Sequence, residues 1–70
     1  MDSFTAVIHK EGRMYVASCP EVGTVSQGKT LEGAVSNLRE ATELYLEEFP
    51  VKPKGKAIVT TFEVQGFAYA

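Results

Sequence analysis

The sequence predicts an α+β domain of order β-β-β-α-β, an antiparallel sheet with one packed helix. Four runs are rich in β-branched and aromatic residues, the signature of strands. Between the third and fourth, apolar residues recur at the 3.6-residue period of a helix. Glycine and proline punctuate the chain at Gly12, Pro20, Gly28 and Pro50, where the elements should end.

The first strand is expected over residues 4–9, Phe-Thr-Ala-Val-Ile-His. Lys10-Glu11-Gly12-Arg13 then makes a glycine-containing turn, so the second strand, Met14 to Cys19, returns as a hairpin. Pro20 has no backbone donor and stops it. A third, weaker strand runs from Val22 or Gly23 to Gln27, with Gly28 at its end. Thr30 opens the helix as an N-cap, its hydroxyl accepting from a free first-turn N–H. Leu31, Ala34, Val35, Leu38, Ala41, Tyr45 and Phe49 form one stripe, about 18 residues and about 27 Å long. Pro50 ends the helix, and Pro53 and Gly55 keep it from resuming. The last strand is expected over Ala57 to Val64.

Seventy residues make a single domain, 1–70, with 44% hydrophobic and 23% charged residues, a composition that folds. A core this small commonly needs a disulfide, a metal or a partner chain. Cys19 is the only cysteine and His9 the only histidine, which leaves self-association as the expected aid. Neither residue sits where it would be reactive. Cys19 has no cation beside it in sequence, and His9 lies near a strand end. No catalytic, cofactor-binding or metal-binding residue is assigned. No phosphate loop, triad or metal spacing appears, so the sequence is read as a non-enzyme. The net charge of −2 opposes binding to phosphate backbones and anionic lipid. Asp2-Ser3-Phe4 lacks the features of a signal peptide, and no apolar run is long enough to span a bilayer, so a cytoplasmic location is expected.

One helix shelters one face of a sheet, yet these strands are apolar on both. Phe4, Ala6 and Ile8 oppose Val7; Met14 and Val16 oppose Tyr15 and Ala17; Ile58, Phe62 and Val64 oppose Ala57 and Val59. The excess on three strands favours a protein interface over scattered surface residues. Val7, Tyr15 and Val59 are its candidate residues. Glu32, Glu40, Glu43 and Glu47 share a helical arc of about 80° opposite the core stripe, with Leu44 on the same outer half. Glu40, Glu43, Leu44 and Glu47 are candidate contacts for a basic partner, although such a face also serves simply as a solvated one. Lys52, Lys54 and Lys56 alternate before the last strand, and protection of a strand edge explains them better than phosphate binding does.

The stretch from Cys19 through the helix resembles the signature of the HicB-like antitoxin family. Pro20, Glu21, Gly23, Ser26, Gly28, Thr30, Glu32 and Ala34 carry that resemblance, and Tyr15-Val16 in the preceding hairpin fits it. Two departures stand out: the family's turn is shortened to Val22-Gly23-Thr24, and Gly33 stands where the family usually has glutamate. The resemblance implies a partial ribonuclease-H-like fold without that enzyme's metal site. It further implies an antitoxin that covers a small basic HicA-like ribonuclease toxin and its active histidine. Many relatives carry a C-terminal DNA-binding domain, whereas this chain has six residues after Val64, so DNA binding is not expected. The expected partners are a second copy, as a homodimer or higher homo-oligomer, and a small basic toxin. The alternative is a stand-alone homo-oligomeric structural or regulatory protein with no toxin.

Overall fold

The computed structural model describes residues 2–52 and 55–66. Its elements are β1 (Val7–Glu11), β2 (Met14–Cys19), β3 (Thr24–Gly28) and α1 (Leu31–Glu48). The strands form one antiparallel sheet of order β1-β2-β3. The α+β class and the succession of three strands and a helix therefore stand.

Turn chemistry sets the hairpin register. Glu11 pairs with Met14, leaving Gly12-Arg13 as a two-residue turn. Gly12 has φ +63°, and no non-glycine described residue has positive φ. Positive φ at the first central position alone is the type II′ pattern, whose twist suits the flanking strands. This register places β1 three residues later than the sequence suggested. Phe4 and Thr5 lie ahead of the ladder, in a lead-in held by side chains. Between β2 and β3 the loop is Pro20-Glu21-Val22-Gly23, closed by Gly23 N–H donating to Cys19 O at 2.7 Å. That loop takes up Val22 and Gly23, so β3 starts at Thr24.

Thr30 caps α1 as expected. Its backbone is extended (φ −127°, ψ 162°) and its hydroxyl accepts from Gly33 N–H at 2.9 Å. At the other end Phe49 N–H donates to Tyr45 O at 2.9 Å, and Pro50 forbids continuation.

The helix runs antiparallel to β3. Three contacts fix this: Ala34 lies against Gly28, Asn37 Nδ2 donates to Gln27 O at 2.8 Å, and the Thr24 and Thr42 hydroxyls bond at 2.7 Å. Eight helical residues and four strand residues both cover about 12–13 Å, so the contacts stay in step. The helix lies chiefly over β3, less over β2, and leaves β1 at the margin.

The buried apolar residues are Ala17, Cys19, Ala34 and Leu38, with Phe4, Ile8, Tyr15 and Val22 packed around them. The centre of the helical stripe is Ala34, Leu38 and Thr42, the last buried because Thr24 satisfies its hydroxyl. Leu31, Tyr45 and Phe49 point towards the sheet side but lie near the helix ends and remain exposed. Tyr45 and Phe49 instead pack on each other, ring centroids 5.1 Å apart.

One expected element is missing. Ala57–Val64 forms no strand, and among the described residues the sheet has three strands, not four. β-propensity marks a segment that fits a pleated surface, but it does not by itself place that segment in a ladder. All eight residues are exposed, Ile58 by 89% and Phe62 by 86%, so this segment is not seated on its own sheet. Pro53 and Lys54 lie outside the described residues.

Gly28 sets how closely sheet and helix approach. A Cβ there would lie 2.6 Å from Ala34 N and 2.8 Å from Gly33 C, both backbone atoms. Gly28→Ala is therefore expected to lower stability by about 1–3 kcal/mol in urea unfolding. Thr30→Ala, which removes only the cap, should cost about 1 kcal/mol. A fully tolerated alanine at position 28 would mean the two backbones do not touch.

Candidate protein-docking surfaces

Strand alternation sorts the sheet's side chains onto two faces. Tyr15, Ala17 and Cys19 of β2 face the helix with Ile8 of β1. The opposite face carries Val7, His9 and Glu11 of β1, Met14, Val16 and Ser18 of β2, and Val25 and Gln27 of β3. Val7 and Val25 flank Ser18 across the three strands, and Val16 lies diagonal to both. This group is backed by no other described element, and Val25 is 62% exposed.

The candidate residues therefore separate. Val7 belongs to the open face. Tyr15 is on the covered side, packed beside the core, with the Lys10 ammonium 5.7 Å from its ring centre. Val59 is exposed in the unpaired segment. Val16 and Val25 complete the open patch; Val16 was legible from its opposition to Tyr15, while Val25 sat in the least distinctive strand.

On the helix, Glu40, Glu43, Leu44 and Glu47 are all exposed. Glu40 and Leu44 line a hollow of about 260 Å³ with Ser26, Asn37 and Ala41, on the β3 side of the helix. Glu43 stands on the other flank. It borders a cleft of about 340 Å³ between the helix and the lead-in to β1, whose apolar lining includes Phe4, Ala6, Cys19, Val35, Leu38 and Leu46. The acidic residues thus crown a ridge between two depressions.

A buttress that composition did not reveal holds the cleft's outer wall. Glu21 accepts from Thr5 N–H at 3.0 Å and from Thr5 Oγ1 at 2.6 Å. Cys19 Sγ donates to the same carboxylate at 3.4 Å. The Thr5 hydroxyl and then the Thr5 amide favour the ionised form, holding the Glu21 carboxyl at about 2 rather than 4.5. Burial pushes the Cys19 thiol upward, so it stays protonated and donates. Among the described residues no three of His, Cys, Asp and Glu converge as a metal site requires. No helix there is long and apolar enough to cross a membrane.

Protonating Glu21 should release the lead-in segment. Its folded pKa lies below the ordinary value, so its contribution is complete above about 4.5 and is lost as pH falls towards about 2. Unfolding free energy should decline across that window in the native chain. Glu21→Gln should flatten that part of the curve and speed thiol labelling of Cys19 at neutral pH. An unchanged pH profile would show that the carboxylate does not anchor Thr5.

A protein of Helicobacter pylori described as a UPF0150 protein is 38% identical to this chain over 65 residues, covering 84% of this chain and 90% of its own length. No family model matches the chain. No solved structure matches it either.

Proposed function

The chain belongs to the UPF0150 family, and from that premise we propose that it is a HicB-like protein-binding module that neutralises a small basic toxin. The observation that carries this reading is the open sheet face, where Val7, Val16 and Val25 form an apolar patch the helix cannot reach. Among the described residues Leu38 is the only large aliphatic side chain that is buried, so a second surface would shelter more. The acidic ridge supports a basic partner, since opposite charge speeds encounter and disfavours acidic competitors.

The signature residues support the reading in a different way. Glu21 anchors Thr5, Gly28 admits the helix backbone, and Thr30 caps the helix. These are scaffold roles. The motif therefore speaks for a common frame, and the residues that choose a partner lie elsewhere on it.

A second reading, a stand-alone homo-oligomer without a toxin, is favoured by the thin core and by the exposed apolar residues Ile58, Val59, Phe62 and Val64. The two readings part on one experiment. If a small basic protein is encoded beside this chain, co-expression of the two is expected to give a stable complex and to suppress that protein's ribonuclease activity. Val16→Asp should weaken that complex at least ~10-fold with the far-ultraviolet spectrum unchanged, a loss of about 1.4 kcal/mol. Glu40→Lys with Glu47→Lys should slow association, most strongly at low salt. With no such neighbour and no complex, the toxin reading falls. A monomer at micromolar concentration removes the homo-oligomeric one.

A further inference from the structure

Two apolar features are left without a companion: the cleft beside the lead-in to β1, and the segment Ala57–Val64. The cleft holds about 340 Å³ and lies next to an edge strand. Edge strands present unpaired N–H and C=O groups, which an extended segment can satisfy while its alternate side chains fill a neighbouring hollow. Ala57–Val64 has the composition for that role. It alternates Ile58, Thr60, Phe62 and Val64 with Ala57, Val59, Thr61 and Glu63, and holds neither proline nor glycine. Extended, it would span about 26 Å.

We propose that Ala57–Val64 of one copy adds as a strand to the β1 edge of a second copy, seating Ile58 and Phe62 in that copy's cleft, and that the exchange is reciprocal. The inference rests on the homo-oligomeric reading above and not on the toxin. Two observations favour a second copy over the segment's own body. All eight residues are exposed, so the segment is not packed into the described sheet or helix. The connection Phe-Pro-Val-Lys-Pro-Lys-Gly-Lys, residues 49–56, carries two prolines and three lysines. Proline and like charge both bias a linker towards extension. Reciprocal exchange fills both clefts of the pair, twice the surface that a one-way insertion would remove from water. One phenylalanine ring covers about 150–250 Å². Two arms with their four large apolar side chains apiece, and the clefts that receive them, approach the ~1,200 Å² at which stable interfaces begin. An element exchanged between identical chains forms a closed two-fold interface at little cost in new contacts.

The test uses the full chain and light scattering across concentration. The native chain is expected to be a dimer. Phe62→Asp, which spoils the arm, should raise the dimer dissociation constant at least ~100-fold while circular dichroism keeps the helix. Ala6→Arg, which blocks the cleft, should do the same. Mixing these two variants should restore association, because one intact arm then meets one intact cleft across the pair. Three results would overturn the proposal. A monomeric native chain whose arm resists protease means the arm docks on its own body. A dimer indifferent to Phe62→Asp but broken by Val16→Asp means the copies meet through the open sheet face, so self-association stands while arm exchange falls. A monomer with a protease-sensitive arm removes both.

Discussion

Backbone meets backbone where the first turn of α1 rests on the end of β3. Gly28 leaves no room for a side chain, and Ala34 approaches closely enough to be fully buried. Once that point is fixed, the helix follows β3 in step through the Thr24–Thr42 hydroxyl pair, because helix rise and strand rise advance together over this length. The helix then sits over β3 and β2 and cannot also cover β1. The cleft beside the lead-in and the bare outer face of the sheet both follow from that placement.

The second constraint acts at the opposite corner. Glu21 projects from a tight loop and holds Thr5 by main chain and side chain together. A carboxylate that accepts two short hydrogen bonds is stabilised as the anion, which makes the contact strong at neutral pH. Without it the lead-in would keep the packing of Phe4 against the core but lose its polar anchor. Two small features, a glycine and a glutamate, thus give shape to a domain whose fully buried side chains are few.

Much of this was legible from residues alone. Gly12 announced the hairpin, Thr30 and Pro50 bracketed the helix, and β-branched runs marked three strands. Strand parity was harder. In β2 both alternations are apolar, Met14 and Val16 against Tyr15, Ala17 and Cys19, so composition does not say which set the helix covers. Tyr15 accordingly fell on the covered side. Thr42 was invisible as a core residue because its hydroxyl is acceptable inside only when Thr24 meets it. The segment Ala57–Val64 shows the limit most plainly. Its residues state an affinity for a sheet, and nothing in them states whose.

The strand periodicity also separates two kinds of freedom. Apart from Val16, the residues that carry the family signature sit in the loops, at the helix start, or on the helix-facing side of β2 and β3, and none of them is among Val7, His9, Ser18, Val25 and Gln27. Most of the outward-facing strand positions can therefore change without touching the frame that holds the sheet together. A duplicated gene for such a domain can acquire a different clientele by drift at alternating positions alone, which makes this small scaffold cheap to diversify and hard to break.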